Sequence, residues 1–133
     1  MKRKMSKLKI FLLIVLVVVL AAAVALKLVS SNMEKGMNQL LAAEVATINL
    51  STIEDGEYPG AYKTFPIDVK VLVKVEDHTI TGIDLVKHFN GQGGAAEVIV
   101  DDVVEAQSLQ VDTISGATYS SKVIPKAIED ALL

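Results

Sequence analysis

The sequence predicts an α+β protein: an N-terminal transmembrane helix, then a small antiparallel sheet packed with two or more helices. Three observations carry this. Ile10 to Leu26 is an unbroken apolar run of seventeen residues. Ile67, Val69, Val71, Val73 and Val75 alternate with Asp68, Lys70, Leu72 and Lys74, the period of a strand with one buried face. Val123, Ile124, Ala127, Ile128, Ala131 and Leu132 recur at three- and four-residue spacing, the period of one helical face.

The apolar run follows five basic residues, Lys2, Arg3, Lys4, Lys7 and Lys9. Its length lies at the lower edge for a membrane span and is long for the core of a signal peptide. The basic flank holds the N-terminus in the cytoplasm, so the chain beyond Lys27 is expected outside, anchored in the bilayer through residues 10–26. Ala21-Ala22-Ala23 and Ala23-Val24-Ala25 also resemble cleavage sites, but the apolar run continues up to them and favours a retained single-pass anchor in the cytoplasmic membrane. The expected organisation is an anchor or signal sequence at 1–27, a juxtamembrane helix or linker at 28–50, and a domain at 51–133.

Charge divides the same way. Residues 1–27 carry six basic side chains and no acid, whereas the rest carries seven lysines against all sixteen acids. An acidic domain argues against a nucleic-acid partner. The chain has no cysteine, which excludes disulfides, thiolate metal sites and iron–sulfur ligation.

Met33, Met37, Leu40, Leu41 and Ile48 have near-helical spacing, so a helix is expected from Ser30 to about Ala46, its methionines serving packing. Asp55-Gly56-Glu57-Tyr58-Pro59-Gly60 is a turn entering a strand. Glu76-Asp77-His78 turns the alternating strand back, and Thr79 to His88 returns beside it, with Gly82 a candidate bulge. Phe89 to Gly94 is a loop with three glycines, and Ala95 to about Gln107 reads as a helix. Leu109 to Ile114 is expected as a short strand. Two histidines, His78 and His88, make a weak case for a metal, and nothing in the sequence places either near Ser115 or Ser120 for a nucleophilic triad.

Asp112-Thr113-Ile114-Ser115-Gly116-Ala117-Thr118-Tyr119-Ser120-Ser121 is the stretch on which function turns. Hydroxyl side chains crowd around Gly116, the residue that takes positive φ at no cost, and a helix follows. Ser120 or Ser121 can cap that helix, and a start this late would leave Pro125 in its first turn. Local chemistry alone favours a plain cap, although a helix N-terminus also suits an anion.

Asp112-x-x-Ser115-Gly116-Ala117-Thr118 resembles the flavinylation motif of the FMN-binding domain family, which includes the C subunit of the sodium-translocating NADH:quinone reductase and the G subunit of RNF complexes. The resemblance extends to Gln107-Ser108 before the motif, to Tyr119-Ser120-Ser121 after it, and to the Asp55-Gly56-x-Tyr58-x-Gly60 opening. It implies that Thr118 carries FMN as a phosphodiester, making the chain a flavinylated phosphoprotein. A separate flavin transferase, using FAD and Mg2+, would attach one FMN per chain. Asp112, Ser115, Gly116, Ala117, Tyr119, Ser120 and Ser121 would surround the attachment point, and Lys122 could offset phosphate charge. Tyr58, Gly60, His88, Gly91 and Gly93 are further candidates for cofactor contact. Ser120 stands where the family often has Thr. The Glu-Thr-Pro-Gly sequence of the respiratory subunits is missing, which argues against this chain being one of them.

The expected function is therefore an extracytoplasmic flavoprotein that carries electrons to or from a membrane redox partner, rather than a stand-alone enzyme. Two alternatives stay open: a non-covalent FMN sensor or accessory domain, and a cofactor-free, surface-anchored interaction module.

Overall fold

A computed structural model describes residues 6–89 and 94–133. The chain divides into two compact units between Lys35 and Gly36. Helix α1, Lys7–Ala42, contains the apolar segment. It is long and apolar enough to cross a membrane, its most apolar window reaching a mean hydropathy of 3.1 with none of that window buried. Leucines, isoleucines and valines from Leu8 to Val29 are exposed on all sides, as suits a helix in lipid. The helix stops at Ala42, four residues short of the expected end, and the chain to Asn49 is irregular.

In the second unit, β1 (Gly56–Thr64), β2 (Ile67–Glu76) and β3 (Thr79–Phe89) form one antiparallel sheet in sequence order. Strict alternation decides its faces: Val69, Val71, Val73 and Val75 are buried, while Lys70 and Lys74 face away. Asp77 and His78 both have positive φ in a two-residue turn, as a tight hairpin with the natural strand twist requires. The register slips between Lys74 and Val75, passing over Thr81 beside the expected Gly82 bulge. A second slip passes over Val86, unannounced by any glycine.

Gly94–Val98 forms a short 3-10 turn that leads into α2 (Ile99–Ala106), and α3 (Thr118–Leu132) closes the chain. Helix α3 packs across β1 and β2, and α2 lies against β3. Ile99, Val103, Val123, Ile124, Ala127 and Ile128 meet the valines of β2, joined by Leu40 from the last turns of α1. Lys87 lies 2.6 Å from Asp68 and fastens the far end of β3 to β2. That hydrogen bond, aided by the neighbouring lysine charges, holds the Asp68 carboxyl below its usual range.

One contact determines how closely α3 can approach. A Cβ on Gly60 would fall on the Ala127 carbonyl oxygen and within 2.7 Å of Ala131 Cβ. The Asp130 carboxylate then accepts a hydrogen bond from the Ala61 N–H at 2.9 Å, covering the outer edge of β1 beside Pro59, which has no N–H to satisfy. Gly60→Ala is expected to push the helix off the strand and to lower stability by about 1–3 kcal/mol, the usual cost of overpacking. Urea denaturation of the wild type and the variant measures it.

Candidate functional site

Gln107 ends α2 in the left-handed conformation, with φ 49. Its side-chain amide donates to the carbonyls of Ile80 and Val104, at 2.8 and 2.6 Å, and accepts from Ile80 N–H at 2.8 Å. One side chain thus finishes the helix and pairs the edge of β3. The segment from Leu109 to Ile114 is not the expected strand. Among the described residues no strand lies alongside it; instead Gln110 N–H goes to Ser108 Oγ at 3.1 Å and Ile114 N–H to Ser121 Oγ at 2.9 Å. Side chains satisfy what a ladder would otherwise take.

The chain then turns over residues 114–117, closed by a bond from Ala117 N–H to Ile114 O at 3.0 Å. Gly116 sits at the third position with φ 81, where a Cβ would be strained although it would meet nothing within 4 Å. Helix α3 begins at Thr118, earlier than expected. Neither Ser120 nor Ser121 caps it, and Pro125 lies inside the helix rather than in its first turn. Burial explains the shift. Ser120 and Ser121 are 1% and 3% exposed and belong to the helix's inner face. Ser121 Oγ donates to Ala117 O at 2.8 Å while accepting from Ile114 N–H, which ties the turn to the helix from inside.

The N-cap position is held by Ala117, which supplies no side-chain bond. Among the described residues the first turn therefore lacks the hydroxyl cap that local chemistry favoured. Thr118 and Tyr119 are exposed on this turn. Thr118 and Lys122 share one helical face by spacing, and Lys122 also lines a groove of about 380 Å³ together with Glu44, Thr113, Ser121 and Pro125. An exposed hydroxyl, a helix start without a side-chain cap among the described residues, and a lysine suit a phosphate ester chemically.

His88 joins this cluster, contrary to the expectation that nothing would place a histidine near Ser120. Its ring sits on the core face of β3 with the side chain 2% exposed. Nε2 is 3.0 Å from Ser120 Oγ, and Nδ1 is 3.0 Å from Glu97 Oε1. Glu97 was missed altogether. It is one acid among sixteen, and no local pattern marks it.

The other candidates are not gathered here. Gly60 lies under Ala127 and Ala131, in the second half of α3. Tyr58 donates its hydroxyl to Glu54 O at 2.8 Å, and both it and Tyr62 pack against the core. His78 is bound to Ile53 O at the β2–β3 turn. Asp112 and Ser115 are exposed in the loop that leads to Thr118. Gly91 and Gly93 lie outside the described residues.

The family model described as FMN-binding domain matches residues 65–133. No curated protein and no solved structure matches the chain. The matched region takes in β2, β3, both later helices and the stretch from Asp112 to Ser121. Gly116→Ala is expected to cost about 1–2 kcal/mol, from left-handed backbone strain alone, because the added methyl has open space. Chemical denaturation gives the value, and Gly116→Asn should lose less.

Proposed function

The chain belongs to the FMN-binding domain family, and from that premise we propose that it is a membrane-anchored electron carrier whose single FMN is joined through phosphate to Thr118. The observation that carries this reading is the bare start of α3: an exposed threonine on an uncapped first turn, with Lys122 one turn further along the same face. Burial of Ser120 and Ser121 leaves Thr118 as the accessible hydroxyl of the helix's first four residues, apart from the phenol of Tyr119.

Attachment needs a transferase acting in trans, with FAD as donor and Mg2+ held at that enzyme's own site. Thr118 Oγ1 attacks the flavin-side phosphorus of FAD, and the new O–P bond replaces the bridging O–P bond of the pyrophosphate. AMP leaves, and the hydroxyl proton passes to a base of the transferase. Gly116 and Ala117 bring no bulk to the approach. The first-turn N–H groups and Lys122 then balance the charge that the diester keeps.

FMN, once bound, supplies the one- and two-electron chemistry, and the protein supplies attachment, orientation and electrostatics. Of the five aromatic side chains outside the anchor, Tyr58 and Tyr62 pack against the core, whereas Phe65, Phe89 and Tyr119 are exposed and free to meet the ring system. Tyr119 adjoins Thr118 in the chain and is 42% exposed, which makes it one candidate for ring contact. A covalent link suits a carrier outside the cytoplasm, where a dissociated flavin would be diluted away. The basic flank of residues 10–26 supports that orientation, with the domain presented to a redox donor or acceptor at the membrane.

Co-expression with a flavin transferase tests the reading. Wild type is expected to gain an FMN-sized mass and to fluoresce at its band on a denaturing gel, and Thr118→Ala to lose both. Flavin that leaves on denaturation would instead identify a non-covalent binder. A colourless wild type would leave only the cofactor-free module.

A further inference from the structure

The His88 contacts form a chain that the attachment chemistry does not yet use. A carboxylate can only accept, so Glu97 Oε1 takes the proton of Nδ1, and in the neutral ring Nε2 accepts from Ser120 Oγ–H. Serine, histidine and acid are ordered as in a nucleophilic triad. Yet Ser120 is 1% exposed, and no incoming carbonyl or phosphorus can reach its oxygen. The chain is not built to attack anything.

Its position gives it another use. His88 stands on the core face of β3 opposite Val69, so the ring is fixed by the sheet. It grips the first turn of α3, where a helix has the fewest backbone bonds and frays most easily. Ser120 and Thr118 are two residues apart, on nearly opposite sides of that turn. Drawing Ser120 inward therefore turns Thr118 outward. Ser121 adds a second inward tie to the loop, but only His88 links this turn to the sheet through a side-chain hydrogen bond among the described residues.

We propose that His88, held by Glu97 and bonded to Ser120, is the positioning residue for flavin attachment, locking the first turn of α3 in the rotation that offers Thr118 to the transferase. This rests on the reading of Thr118 as the attachment residue. Removing the bond leaves the hydroxyl acceptor and its neighbours chemically intact but lets the turn move.

The test uses the full chain in detergent with purified transferase, FAD and Mg2+, following initial flavin incorporation against acceptor concentration. Ser120→Ala and His88→Ala are expected to lower kcat/KM for labelling about tenfold, the scale of one lost hydrogen bond. His88→Gln, whose Oε1 can still accept from Ser120 Oγ–H, should recover much of that loss. Hydrogen exchange at the Ser121 amide of the unlabelled variants should quicken, which reads the turn independently of labelling. Val103→Ala, in the buried face of α2, is the control: it should lower Tm yet be labelled as wild type. If His88→Ala does not fold, Ser120→Ala decides. Folded Ser120→Ala that is labelled at the wild-type rate overturns the proposal, because the bond would then serve stability alone. Wild type that accepts no flavin overturns the underlying reading and this one with it.

Discussion

The domain depends on the close approach of α3 to β1, which only a glycine at position 60 permits. With no side chain at the crossing, the Ala127 and Ala131 backbone settles against the strand, and Asp130 reaches the Ala61 N–H. Val123, Ile124, Ala127 and Ile128 are then carried onto the buried valines of β2. The same placement determines where the other end of the helix falls. Its first turn comes to rest against His88, at the far end of β3.

That first turn combines two opposed requirements. Its inner side is secured by buried hydroxyls: Ser120 to the imidazole, and Ser121 to both Ile114 and Ala117. Its outer side is left bare, with alanine at the N-cap and threonine exposed next to it. A hydroxyl cap would have satisfied the N–H groups and so closed a place suited to an anion. Giving up that cap weakens the helix end by about 1 kcal/mol in typical cases. The inward bonds offset the loss and leave the electropositive end available to a phosphate.

Much of this was legible in the residues themselves. Alternating valines gave β2, and helical spacing gave α2 and α3, because each element buries one face and its period shows which. Gly116 announced the turn, and the motif announced the family. What the sequence hid was long-range or depended on competition between partners. His88 and Ser120 are thirty-two residues apart, and neither has a local pattern that points to the other. Ser120 and Ser121 looked like caps because serine commonly caps, but burial on the sheet side draws them into the helix and moves its start back to Thr118. Pro125 then falls in the interior, where it withholds an N–H from the Ser121 carbonyl. Leu109 to Ile114 has strand-like residues but, among the described residues, no strand beside it. The bulge at Val86 has no glycine to signal it.

The proposed FMN on Thr118 Oγ1 is tested most directly on protein purified from membranes of its native host. Trypsin would release the segment from His88 to Lys122 as one peptide, since no lysine or arginine lies between its ends. Tandem mass spectrometry of that peptide should find the FMN mass on Thr118 and no other residue. An unmodified peptide, or flavin carried by a different hydroxyl, would contradict the account.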